Sequence, residues 1–216
     1  MKKLMYIFTL VILNSCANLA SLQDGRTLKK NEIEIAPFAA IAKFSESVPD
    51  SQNETVEENF YFPILALRIK YGIVEKFDAG VLMDLSTNFG ITTKYQFLGN
   101  KESKINSSVG IDFGTNLFGL SYNRLKYYYS VPLYLSYYPN QSFCLFTTPR
   151  LINDSEYVFS KEYSKENVGT KYNINKLAVS YGFLFGKRKK IGIEISHNSS
   201  NNFIPTQLTL GYNLKF

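Results

Sequence analysis

Residues 177–185 read LAVSYGFLF. In an extended chain successive side chains point to opposite sides, so Leu177, Val179, Tyr181, Phe183 and Phe185 share one face while Ala178, Ser180 and Gly182 share the other. One face is bulky and apolar; the other is small. A single such strand has to lay its bulky face against something apolar, and the rest of the chain decides what that is.

The pattern recurs. Ile33, Ile35, Pro37, Ala39 and Ile41 oppose Glu32, Glu34 and Ala36, and Leu65, Leu67, Ile69 and Tyr71 oppose Ala66, Arg68 and Lys70. Phe77, Ala79, Val81, Met83 and Leu85 oppose Asp78, Gly80 and Asp84; Val109, Ile111 and Phe113 oppose Ser108, Gly110 and Asp112. The last segment sets Leu208, Leu210, Tyr212, Leu214 and Phe216 against Thr209, Gly211, Asn213 and Lys215. Counting such segments predicts about ten strands, at 32–42, 62–71, 77–86, 90–98, 104–115, 127–138, 143–152, 176–186, 190–197 and 206–216. Eight is the alternative count. Segment 143–152 carries Pro149, which removes a ladder hydrogen bond, and 190–197 is short.

A soluble sandwich also alternates, but it hides its apolar face and exposes charges. Here the opposite face mixes Gly, Ala and Ser with charges of both signs, which suits the inside of a narrow barrel whose outside meets lipid. Strands of ~9–11 residues are long enough to cross a bilayer at a tilt. Tyr127 to Tyr129 and Tyr137 with Tyr138 stand at segment ends, where aromatic girdles belong. The expected fold is therefore all-β: an antiparallel up-and-down transmembrane β-barrel over residues 32–216.

Links alternate between long polar segments (43–61, 116–126, 153–175) and short turns (72–76, 99–103, 139–142, 187–189), with a brief link at 87–89. Barrels of this kind place short turns in the periplasm and long loops outside. Parity points Glu34, Arg68, Lys70, Asp78, Asp84, Lys94, Asp112, Glu194 and Lys215 inward. Unpaired charges there are costly, so they are expected to cross-pair and plug the lumen. About ten strands leave little room for the open channel of a ~16–18-stranded porin. The net charge of +6 includes no basic helix or aromatic-interleaved basic patch, so no nucleic-acid partner is expected. Lys187, Arg188, Lys189 and Lys190 form the one dense basic run, read as a solvated turn or a contact with anionic lipid heads. No cofactor and no metal-ligand cluster is legible.

Lys2 and Lys3 precede an apolar run from Leu4 to Leu13, the pattern of a signal peptide at 1–15 and too short to span a membrane as a helix. Leu13, Asn14, Ser15 and Cys16 resemble a bacterial lipoprotein signal, which implies acylation of Cys16, although Asn14 stands where a small residue is usual. Cleavage beside Ala17 and a buried thiol are the alternatives. With Cys16 so used, Cys144 has no intramolecular disulfide partner. Residues 16–31 are then an N-terminal periplasmic segment.

Over its mature length the chain resembles bacterial outer-membrane β-barrel proteins. The terminal strand ending in Phe216, with apolar residues at alternate positions, looks like the signal read by the barrel-assembly machinery. That resemblance implies the bacterial outer membrane, with its lipids and lipopolysaccharide as surroundings. It leaves function open. A non-catalytic barrel with a plugged polar lumen and long loops for surface interaction or envelope structure is the first expectation, its loop ligand unnamed.

The alternative lies in ISHNSSNN, residues 195–202. His197 and Ser199 follow Ile191, Ile193 and Ile195 on the outward face and reach the outer rim. They are similar to the His-x-Ser-Asn motif of the lipid A 3-O-deacylase family, where histidine serves as base and serine attacks an acyl ester. Ser200 replaces that family's asparagine. Its acidic orienting residue falls at Thr206, beside Gln207, and loss of such a member can cost a triad ~10⁴ in rate.

Overall fold

The structure, a computed structural model, describes residues 22–49, 55–85, 88–116, 124–158, 170–199 and 205–216. The signal segment 1–15, Cys16 and Ser200 lie outside the described residues. Ten strands run in chain order: β1 (Ile33–Pro49), β2 (Thr55–Val74), β3 (Phe77–Asp84), β4 (Asn88–Leu98), β5 (Ile105–Asn116), β6 (Arg124–Asn140), β7 (Phe143–Val158), β8 (Thr170–Phe185), β9 (Lys189–Asn198) and β10 (Pro205–Lys215). Each pairs antiparallel with its chain neighbour, and β1 pairs with β10 to close the barrel. Closure leaves no sheet edge within the bilayer, where unpaired backbone groups cannot be solvated.

Alternation sets the two faces. Leu177, Tyr181, Phe183 and Phe185 are exposed on the outside, while Ala178 and Ser180 are fully buried within. Small inward residues let the walls approach. Inside, Leu22, Phe38, Tyr138, Cys144, Phe146 and Leu184 form an apolar cluster, and Cys144 is a free, buried thiol.

Several strands outrun the lengths expected from hydrophobic alternation. β1 and β2 stay paired up to Pro49 and Thr55, and β7 and β8 up to Val158 and Thr170. The strands therefore extend into the stretches 43–61, 116–126 and 153–175, which the sequence predicts to be links. The reason shows on the outward face. Leu151 and Leu177 are paired and exposed, and the next outward pair is Asn153 with Asn175, whose side-chain amides bond at 2.6 Å. Apolar alternation stops at the lipid boundary; the backbone ladder continues into water as projecting ribbons.

Prolines mark where the ladder breaks. Pairing of β6 with β7 jumps from Pro132–Arg150 to Leu135–Thr147, although Pro149 remains in register with Val179 on the other side. The β5–β6 ladder skips the positions beside Pro132, and the β1–β10 ladder skips Pro37. Proline has no N–H to donate, so each strand continues through with an interruption toward one neighbour.

Residues 22–28, part of the segment read from sequence as periplasmic, lie inside the barrel at its short-turn end. Leu22, Gln23, Asp24, Gly25, Thr27 and Leu28 are all buried. The chain reaches β1 by way of Asn31, whose amide donates to Gly72 O at 2.8 Å while Gly72 N donates to Glu32 O at 2.9 Å.

Candidate functional site: the charged lumen and the outer rim

The lumen is built from alternate residues of every strand. Glu34 on β1 receives Lys70 at 3.1 Å, Arg68 at 3.5 Å and Lys215 at 3.5 Å. Asp78 on β3 lies 3.9 Å from Lys70 and 3.8 Å from Lys94. Strand parity and antiparallel register bring these charges to one level, since Glu34 sits opposite both Lys70 and Lys215, and Asp78 opposite Lys94.

Residues 22–28 cross this level and are bonded mainly by wall side chains. The amide of Leu28 donates to Asp78 at 3.0 Å, that of Thr27 to Gln96 Oε1 at 3.0 Å, and that of Gly25 to Ser136 Oγ at 3.0 Å. Leu22 donates its amide to Glu194 and accepts at its carbonyl from Asn213 Nδ2 at 3.1 Å. Lys94 Nζ donates to the carbonyls of Arg26 at 2.8 Å and Asp24 at 3.3 Å. Buried backbone groups away from any strand need such partners, and the polar wall provides them.

Asp24 is the segment's inward charge. Its carboxylate pairs with Lys190 at 2.7 Å and accepts the hydroxyl of Tyr138. Lys190 corrects the reading of residues 187–190 as one solvated run: Lys187, Arg188 and Lys189 are exposed, but β9 parity turns Lys190 into the lumen. Arg26 turns toward the mouth, stacking over the Tyr138 ring at 3.5 Å and donating to Ser103 O at 2.9 Å.

Of the remaining inward acids, Glu194 also holds the segment through the Leu22 amide, while Asp84 and Asp112 bond within the wall. Asp84 accepts from the backbone and side-chain amides of Asn88 at 3.1 and 2.8 Å, closing the brief β3–β4 link. Asp112 accepts from Ser130 Oγ at 3.1 Å, and Glu194 accepts from Ser196 Oγ at 3.2 Å. Gln23, Asp24, Tyr138 and Lys190 had no part in the sequence-derived charge network. The inward residues read from sequence comprise five carboxylates (Glu34, Asp78, Asp84, Asp112, Glu194) and four cations (Arg68, Lys70, Lys94, Lys215), so their charge gave no signal for them.

At the outer rim, His197 is half-buried and Ser199 exposed, on the same parity as Ile191, Ile193 and Ile195. The His197 ring stacks on Tyr181 with centroids 5.3 Å apart, and its Nε2 is 2.9 Å from the Tyr181 hydroxyl. Ser199 Oγ accepts the amide of Leu177 at 3.1 Å. A register shift between Pro205 and Gln207 buries both Thr206 and Gln207. Thr206 donates its hydroxyl to Ser196 O at 3.1 Å, and Gln207 donates to Thr209 Oγ1 at 3.2 Å.

An antiparallel barrel with an apolar outside and a charged, filled inside is a protein of the bacterial outer membrane. No protein-family model matches the chain, and no curated protein matches it. Among solved structures it is similar to Ail, the attachment invasion locus protein of Yersinia pestis, at 14% identity over 87% of this chain and 99% of that one, with a TM-score of 0.36. It is also similar to the outer membrane protease OmpT of Escherichia coli (12% identity, 88% and 96% covered, TM-score 0.43) and to the outer membrane protein OprG of Pseudomonas aeruginosa (11%, 90% and 99%, 0.37). At such scores none of them bears on what this chain does.

Proposed function

We propose that the chain is a non-catalytic outer-membrane barrel, closed by its own N-terminal segment, that acts through the ribbons projecting from its long-loop end. The observation that carries this reading is the use of the lumen's polar groups to hold residues 22–28, which leaves the projecting β1–β2 and β6–β8 strands as the surface for a partner. Lipopolysaccharide surrounds that surface, and the barrel-assembly machinery inserts the chain through its terminal strand. Ile152 and Lys176 are paired, so a short turn can join them in place of residues 153–175. Cells carrying the shortened barrel should lose retention on surfaces or become permeable to a hydrophobic dye. Unchanged behaviour on both counts, with the barrel folded, sinks the reading.

The second reading is a lipid A acyl-ester hydrolase with His197 as base and Ser199 as nucleophile. Its support is that both residues face outward where strand β8 passes from Leu177 to Asn175, the level of the outer-leaflet acyl linkages. Mass spectra of lipid A from cells expressing the wild type or Ser199→Ala decide it. Acyl loss with the wild type alone establishes the hydrolase, and identical unmodified lipid removes it.

A further inference from the structure

We propose that the short-turn half of the lumen is an anion-binding site which the chain fills with its own Asp24, and that displacing residues 22–28 opens it to a free oxyanion of the sulfate or phosphate class. The inference rests on the closure of the lumen by that segment and is independent of what the projecting ribbons do.

The wall at this level holds Arg68, Lys70, Lys94, Lys190 and Lys215, four of them buried and Lys215 nearly so. Its carboxylates are Glu34, Asp78 and Glu194. Two cations are therefore in excess. Glu34 and Asp78 serve Arg68, Lys70, Lys94 and Lys215. Among the described residues, Asp24 is the carboxylate paired with Lys190. A buried ammonium without a counter-charge is costly, so a vacated site would attract an anion.

The donors around Asp24 already have the form of an oxyanion site. Lys190 Nζ and the Tyr138 hydroxyl are 3.1 Å apart, and both meet the same Asp24 oxygen. The other oxygen of Asp24 accepts the amide of Arg26 at 3.0 Å, a contact within the segment that departs with it, which leaves the wall's own donors to the vacated site. Lys94 approaches from across the lumen, satisfied there by plug carbonyls. Charge-assisted donors converging in a desolvated site favour a compact multivalent acceptor. The occupying segment makes no strand ladder and is held chiefly through side chains of the wall, so it can leave without breaking the barrel.

The test uses the full chain with residues 22–28 replaced by alternating Gly and Ser, folded in detergent micelles and titrated calorimetrically with sulfate at constant ionic strength. One sulfate should bind per barrel, at least tenfold more tightly than to the unaltered chain, and adding Lys190→Ala should weaken it at least tenfold. No binding, or binding indifferent to Lys190→Ala and thus owed to the exposed Lys187, Arg188 and Lys189, overturns the proposal. Tighter binding of a short-chain phosphatidylglycerol than of sulfate transfers the site to lipid headgroups and overturns it too. Should the replaced segment prevent folding, Asp24→Asn in the otherwise intact chain serves instead. Sulfate should then raise the unfolding temperature of the variant and not of the wild type, and equal responses refute the site.

Discussion

Lys190 Nζ lies 2.7 Å from the carboxylate of Asp24, a residue 166 positions earlier, and the hydroxyl of Tyr138 meets both. This contact ties the N-terminal segment to β6 and β9 at once. Removing one partner of a buried pair leaves the other uncompensated, at a cost of about 3–5 kcal/mol, whereas replacing both with apolar groups is often close to neutral. Asp24→Asn should therefore be strongly destabilising in urea titrations, and Asp24→Asn with Lys190→Met should recover most of the loss. A single variant within about 1 kcal/mol of wild type, the range of exposed pairs, means that water reaches Lys190.

Gly25 passes too close to the wall for any side chain. A Cβ there would lie 2.4 Å from the carbonyl oxygen of Asn106 and 2.9 Å from Ser136 Oγ. The first is backbone within β5 and cannot swing away. Gly25→Ala should expel the segment while the barrel stays closed, because the strand ladders do not involve it. The folded variant should then be cut by trypsin after Arg26, a bond that the wild type protects. Equal resistance in both proteins shows that the segment shifts within the lumen without leaving it.

The barrel was legible because lipid imposes a simple rule: outward residues are apolar, and LAVSYGFLF obeys it at every alternate position. The strand ends were not, since beyond the bilayer outward residues such as Asn153 and Asn175 become polar while backbone pairing continues. The plug was hidden for a different reason. LQDGRTL, residues 22–28, has no periodicity and reads as a linker. Its partners lie between 50 residues away, for Leu28 with Asp78, and 191 residues away, for Leu22 with Asn213. Inward charge gave no hint either, because the cation that needs Asp24 is Lys190, which reads from sequence as part of a solvated turn. Lys190 was masked by its neighbours, because four basic residues in a row look solvated until the parity of β9 separates the last from the rest.

Glu34 and Lys101 separate buried from exposed electrostatics within one molecule. Glu34 faces three cations, and its side chain is 4% exposed; Lys101 pairs with Glu32 at 3.8 Å, and its side chain is 47% exposed. Glu34→Gln should cost about 3–5 kcal/mol, since three buried or nearly buried cations lose their shared carboxylate. Lys101→Met should cost less than about 1 kcal/mol, because solvent screens that pair. Heat-dependent gel migration of the folded barrel measures both. A larger shift for Lys101→Met would place the main support of the short-turn end on its surface.

Ser199 bears on structure whatever its chemistry, because its hydroxyl accepts the amide of Leu177 at 3.1 Å where β8 begins to rise beyond β9. A hydrogen bond of this kind contributes about 0.5–1.5 kcal/mol, and its exposure puts it toward the lower end. Ser199→Ala should speed hydrogen exchange at Leu177 by less than about tenfold, the factor that 1.4 kcal/mol represents, and leave the amides nearer the short-turn end of β8 unchanged. A serine whose role is to cap the strand gives this local change with no difference in lipid A. A nucleophile gives the lipid difference as well. Exchange at Leu177 that does not respond at all removes the capping role and makes the lipid measurement the sole witness to what Ser199 does.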